Sequence, residues 1–281
     1  MKEYRQGFFT GERALYNLSD AIIYDSTFDD GESPLKESKN IELNNSIFKW
    51  KYPLWYSSLI NLNKTVLQET ARSGIWYSTD ITFNNSVIEA PKTFRRSSDI
   101  KIFNTDMPNA QETMWNCNNI TIENSKIKGD YFAMNSSNIK AKNINIYGNY
   151  SFDGASNIEI DNAYLISKDA LWNTKNVVVK NSTIIGEYLG WNSENVTFIN
   201  CTIDSKQGLC YMKNVKLVNC KLLNTNLSFE FVSDIDAKID SKIDSIKNPI
   251  SGRIEAISIG DIILDETYIS KDKTTIIVKE K

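Results

Sequence analysis

Three carboxylates, Asp153, Asp169 and Glu187, stand close to aromatic residues at a recurring place in this 281-residue chain, and they are its best candidates for acid–base work. The chain contains no histidine. Ser-His-Asp triads and HExxH zinc sites are excluded, so proton transfer falls to carboxylates, Lys, Tyr or water. Glycoside hydrolysis asks for two carboxyl groups roughly 5 to 9.5 Å apart. On neighbouring parallel strands about 4.8 Å apart, with residues about 3.3 Å apart along each, Asp169 and Glu187 fall within that range and Asp153 faces them across a groove. A lyase would instead need a base to take a proton α to a uronate carboxylate, and Lys92, Arg95, Arg96 or Lys168 stand nearby. The competing reading of these charges is an ion-pair ladder on a structural surface.

The same segments carry the tryptophans. Aligned, they give one row of Trp55, Trp76, Arg95, Trp115, Met134, Asp153, Trp172, Trp191 and Tyr211. The row just before it (Leu54, Ile75, Phe94, Met114, Ala133, Phe152, Leu171, Gly190, Cys210) is nearly all apolar and suits an inward face, so strand alternation turns the Trp row outward. Smaller residues such as Pro53, Gly74 and Thr93 make a floor, and Lys51, Arg72, Gln111, Asp130, Asn149, Lys168, Glu187 and Gln207 a polar wall. A line of indoles beside charged groups suits a sugar chain, whose C–H faces stack on rings while its hydroxyls meet the charges. The expected binding residues are Trp55, Trp76, Arg95, Arg96, Trp115, Asp130, Lys168, Trp172, Trp191 and Tyr211. Two alternatives stand beside this groove: the indoles form an inward core stack, or a partner chain covers them.

The element that must position these residues is a repeat. A nine-residue phrase, [N/D]-[I/V]-x-[I/L/F/V]-x-N-[S/T/C]-x-[I/V/L], recurs with its first apolar residue at Ile41, Ile60, Ile81, Ile100, Ile120, Ile139, Ile158, Val177, Val196 and Val215. These markers follow one another at a nearly constant interval. Apolar and polar residues alternate within each copy, which is the period of a half-buried strand and not of a helix. Short strands recurring at this interval without helices predict an all-β, single-stranded, right-handed parallel β-helix, a solenoid of about thirteen coils. A single domain over 1–281 is expected, with 1–20 an N-terminal cap, 21–222 regular coils, and 223–281 irregular coils with a C-terminal cap strand. The sixth position of the phrase is Asn in most coils (Asn45, Asn85, Asn104, Asn124, Asn143, Asn162, Asn181, Asn200, Asn219), which predicts a buried asparagine ladder at a left-handed bend.

Net charge is −3 and the sequence pI about 5.3, which gives no electrostatic case for nucleic acid or an anionic membrane. No signal-peptide-like start or apolar run of membrane-spanning length is present, and four scattered cysteines form no CxxC pair, so a soluble, cytoplasmic chain with reduced thiols is expected. There is no P-loop, GxGxxG or EF-hand loop, and no metal or cofactor is expected.

The phrases GERALY (11–16), GESPLKES (31–38), KYPLWYS (51–57), GIWYS (74–78), FRRS (94–97), GDYF (129–132), FDG (152–154), SKDALWN (167–173), GEYLGWNS (186–193) and QGLCY (207–211) resemble an uncharacterised bacterial family, domain-of-unknown-function family 3737. That family is similar to pectin-lyase-like right-handed β-helix proteins. The resemblance implies the same fold and supplies no catalytic residue. Sugar-cleaving β-helix enzymes have longer coils whose loops wall the active site, and coils as short as these leave little room for such loops. The expected function is binding of an oligosaccharide or polysaccharide along the Trp-rich face, with glycoside hydrolase or polysaccharide lyase activity left open, by a monomer or homodimer. The alternative is a non-catalytic solenoid that dimerises or docks a partner through that face.

Overall fold

Alternation and the 19-residue interval are realised as a parallel β-helix of about 15 turns. The computed structural model describes residues 1–279. The chain forms two compact units, Met1–Asn145 and Ile146–Lys281.

In unit 1 most coils open with a six-residue strand, such as Ser58–Asn63, Thr79–Asn84 and Ser98–Phe103, paired in parallel and in register. Ile60, Ile81 and Ile100 align on one interior row, Leu62, Phe83 and Ile102 on the next, and all are buried. A short second strand follows in most coils, for example Val66–Leu67 and Val87–Ile88. Larger rings stack within the core, Phe28 on Phe48 at 4.6 Å. The repeat already begins at Lys2–Arg5, which pairs with Ser19–Tyr24, so the segment expected to be a cap is a coil of its own. Thr274–Val278 extends the ladder in unit 2 by pairing with Gly252–Ile263. These two additions account for the excess over thirteen coils.

In unit 2 Ile158, Val177, Val196 and Val215 align on an interior row of the same kind. From Ser233 onward the strands lengthen and their register shifts. All four cysteines are buried free thiols. Burial pushes Cys117 and Cys210 up to about 12, which makes both unreactive packing residues.

Two expectations are corrected here. The asparagine ladder exists, but on exposed corners: the row adopts φ near 50°, and Asn143 donates to Asn124 at 2.9 Å and Asn200 to Asn181 at 3.1 Å, all exposed. What is buried is a ladder of hydroxyls one residue later. Thr65 N–H donates to Ser86 Oγ at 3.1 Å and Thr105 N–H to Ser125 Oγ at 3.1 Å. An amide is too large for that interior corner, whereas a hydroxyl fits and accepts a backbone N–H that would otherwise be orphaned.

The third face is also not an extended strand. Its residues alternate into the left-handed region: Asp169 (56°), Leu171 (57°) and Asn173 (54°) in one coil, Tyr188 (56°), Gly190 (75°) and Asn192 (57°) in the next. Strand alternation therefore does not govern it, and two consecutive residues, such as Ala170 and Leu171, are buried ahead of a half-buried Trp172. Each non-glycine residue held there costs roughly 1 kcal/mol or more. Hydrogen bonds between coils offset this, among them Leu171 N–H to Ser151 O and Asn173 N–H to Trp191 O, both at 2.9 Å.

Candidate functional site

The curled third face sets its large side chains one above another. In unit 1 Trp55 and Trp76 stack at 5.2 Å with ring planes 11° apart. The Arg95 guanidinium lies next in the row, 4.6 Å from the Trp76 ring and 4.7 Å from the Trp115 ring. Glu112 neutralises it at 3.7 Å and also pairs with Lys92 at 3.1 Å. Arg95 Nε and one Nη meet no hydrogen-bond acceptor, so the two indole faces are the main company of this cation. In unit 2 Trp172 and Trp191 stack at 5.7 Å with planes 6° apart.

Every one of these indoles also spends its N–H on a main-chain carbonyl: Trp55 on Ser73, Trp76 on Lys92, Trp115 on Tyr131, Trp172 on Tyr188 and Trp191 on Gln207, at 2.6 to 2.8 Å. The row is half-buried, neither inward core nor open platform. Ring faces within each stack look at each other, and parallel coils repeat at about the thickness of stacked rings, so no sugar fits between them. The expected line of open indole faces is therefore corrected to a stack that shows its edges.

Tyr211 does not belong to that row. Its φ of 58° and its N–H donated to Glu230 O place it with the left-handed residues Tyr56, Tyr77 and Asn192, one position further on. The pairing of Glu187 with Lys206 fixes this register and puts the buried Cys210 at the tryptophan position. Tyr211 still meets the edge of Trp191 at 4.9 Å. Arg96 sits in the same outer row as Tyr211, exposed, with its guanidinium 6.0 Å from the Tyr77 ring. Asp130 is half-buried in unit 1, its N–H donating to Gln111 Oε1 at 3.1 Å.

The expected residues that do converge are in unit 2. Lys168, Asp169, Trp172 and Trp191 line a concave site of 360 Å³ together with Tyr150, Tyr188 and Gln207. Asp169 is 2% exposed. Burial holds its carboxyl above the ordinary carboxylate range against the pull of Lys168 and a hydrogen bond with Tyr150, and the nearby charges of Glu187 and Asp153 push the same way as burial. Lys168 pairs with Glu187 at 3.6 Å and lies 5.4 Å from the Tyr188 ring. The two coils approach closely beside this pair, since a Cβ on Gly186 would come within 2.1 Å of Ser167 O. Asp153 accepts from Asn173 Nδ2 at 2.8 Å and lies outside the lining of the cavity. A buried carboxyl whose hold on a proton is strengthened, a paired lysine and two tyrosines at one rim can bind hydroxyls and exchange a proton with them.

Tyr150 and Tyr188 were missed in the sequence, while Gln207 was read there only as part of the polar wall. The signal for Tyr188 was a tyrosine three residues ahead of tryptophan, in Tyr52/Trp55 and Tyr188/Trp191, where the rings meet at 5.4 and 5.1 Å; Tyr150 holds the same place ahead of Asp153. Among the described residues no group of three or more His, Cys, Asp or Glu is placed to hold a metal ion, and no helix is long and apolar enough to cross a membrane.

Residues 2–277 match the family described as protein of unknown function, DUF3737. No curated protein matches the chain. Among solved structures, PfbA, a surface adhesin of Streptococcus pneumoniae, is 12% identical, covering 76% of this chain and 71% of its own at a TM-score of 0.45. The A-module of the Azotobacter vinelandii mannuronan C-5 epimerase AlgE4 is 10% identical, covering 99% and 88% at 0.31. The catalytic domain of a GH87 α-1,3-glucanase, solved with tetrasaccharides, is 10% identical, covering 98% and 63% at 0.31. Likenesses at this level carry no weight for function.

Proposed function

We propose, for a chain that belongs to the DUF3737 family, that the protein binds a saccharide and that the unit 2 cavity receives one of its sugar units. The observation that carries this reading is the lining of that cavity: Tyr150, Lys168, Asp169, Trp172, Tyr188, Trp191 and Gln207 bring aromatic walls together with donors and acceptors of the kind that hydroxyls need. Since the stacked indoles offer edges, binding is local to the cavity and not strung along the whole row. Lys168 is neutralised by Glu187, which favours hydroxyls over a second negative charge.

Asp169 and Glu187 are the pair for acid–base chemistry in this reading. The first is a carboxyl whose proton burial favours; the second sits beside Lys168 in the next coil. Asp153 supports the site through the charge it places near Asp169.

A glycan array probed with the full-length chain tests the proposal. Binding to neutral glycans, weakened at least tenfold by Tyr188→Ala, is the expected result. A blank array, together with a dimer in light scattering that is lost on Trp172→Ala, would replace it with the docking alternative. If a bound glycan is also cleaved, Asp169→Asn abolishes turnover, and unchanged turnover removes Asp169 from the chemistry.

A further inference from the structure

Among the regular coils of unit 1 the interval is longest between Ile60 and Ile81, which nevertheless pair in register. The extra length is taken up by the 3-10 turn Glu69–Ala71. That turn walls a cavity of 330 Å³ lined by Trp50, Lys51, Glu69, Thr70, Arg72 and Pro91. These residues come from three successive coils, at the step between the second strand and the curled third face.

Trp50 differs from every tryptophan of the stacks. It is 37% exposed, and among the described residues its indole N–H meets no acceptor. Arg72 and Glu69 are exposed, and neither has an ion pair among the described residues. Lys51, by contrast, is tied to Glu32 at 2.8 Å and lies 5.7 Å from the Trp50 ring. The cavity therefore offers one open ring with a free donor, one free guanidinium fork and one free carboxylate. Lys51 is already neutralised by Glu32, and the lining carries one further charge of each sign, on Arg72 and Glu69, so its formal charge sums to zero. A ligand with a net charge gains nothing from that balance. A neutral sugar ring uses all of it: its C–H face covers the indole, adjacent hydroxyl oxygens accept from the guanidinium, and a hydroxyl donates to the carboxylate.

We infer that Trp50, Glu69 and Arg72 form a second saccharide site, in unit 1, selective for an uncharged sugar unit; this rests on the saccharide reading of the unit 2 cavity. Calorimetric titration of the full chain with cellohexaose, xylohexaose and mannohexaose in turn is the test, with circular dichroism confirming that each variant folds. At least one hexasaccharide is expected to occupy two sites. Trp50→Ala and Arg72→Gln, both at exposed positions, each weaken one of them at least tenfold, while Lys168→Ala with Tyr188→Ala removes the other. A single site that ignores Trp50→Ala and Arg72→Gln but is lost in the unit 2 double variant overturns the second site and leaves the first. A single site lost on Trp50→Ala does the reverse, and no binding of any of the three sugars overturns both.

Discussion

In unit 1 the row of large side chains runs Trp55, Trp76, Arg95, Trp115, and every face within it is taken by a neighbour, with Glu112 closing the charge of the guanidinium. In unit 2 the same row runs Asp153, Trp172, Trp191, Cys210, and the stack is only two indoles long. Beside that shorter stack lies the cavity with Asp169 buried at its wall. One repeat thus builds a filled ladder in one place and a ligand-sized hollow in another, according to whether the ladder position holds a group that can stack. An indole row by itself is structure, and chemistry becomes available where the row is interrupted by groups that do not fill it.

The largest expected effect separates the two stacks by stability. Trp76→Ala removes a ring sandwiched between Trp55 and Arg95 and should lower unfolding free energy in urea by about 3 kcal/mol, at the low end for a large aromatic because the row is half-buried. Trp172→Ala, with one stacked indole partner, should lose less; the reverse order would break the comparison. Next comes Arg95→Lys, expected to cost about 1 kcal/mol in the same assay, because a compact ammonium cannot lie flat between two rings. Equal stability would show the sandwich to be incidental.

A similar loss is expected for a buried hydroxyl. Ser78→Ala orphans the N–H of Ser57, which now donates to Ser78 Oγ at 3.1 Å, and should cost about 1 kcal/mol. Asn200→Gly, which keeps the left-handed corner open, should stay within about 0.5 kcal/mol because that amide is exposed. If the two costs are interchanged, the ladders have been assigned to the wrong sides of the wall.

The smallest effect is the pH dependence at Asp169. A carboxyl raised on folding binds its proton more tightly in the folded state, so the stability it contributes is present below the ordinary value of 3.8 and is lost as pH rises through its raised value. Asp169→Asn should therefore be at least as thermally stable as the native chain at neutral pH, with the gap closing below pH 3.8. A native chain that gains on the variant as pH rises would mean that Asp169 is held as a stabilised anion.

Much of the fold was legible because the repeat is written in residue types that only one geometry uses. Ile at alternate positions marks the rows of Ile60, Ile81 and Ile100, and their observed pairing follows directly. The exposed asparagine corners were legible as bends and misjudged as to side, since a left-handed φ says nothing about which way the amide points. The third face was the least legible part. Its inner left-handed row holds Leu54, Met114, Phe152 and Leu171, none of them Gly or Asn, so the types in that row hid the end of strand alternation, which only the outer row, with Asn173 and Asn192, announced. The one-residue slip at Tyr211 has the same origin: only the pairing of coils shows that Cys210 holds the tryptophan position. Four of the seven cavity residues were named in advance as site residues, and Gln207 as part of the polar wall, because charge, polarity and aromatic type were enough. Tyr150 and Tyr188 needed the curl of the backbone to bring them in.

The most direct test of the account is an NMR titration of the chain carrying ¹⁵N-labelled tryptophan with a glycan selected on the array, reading the indole N–H signals. Signals of Trp172 and Trp191 should move with saturation, while those of Trp55, Trp76 and Trp115 stay in place. Movement confined to the unit 1 stack, or no movement with any glycan, would contradict the claim that the unit 2 cavity is where a sugar binds.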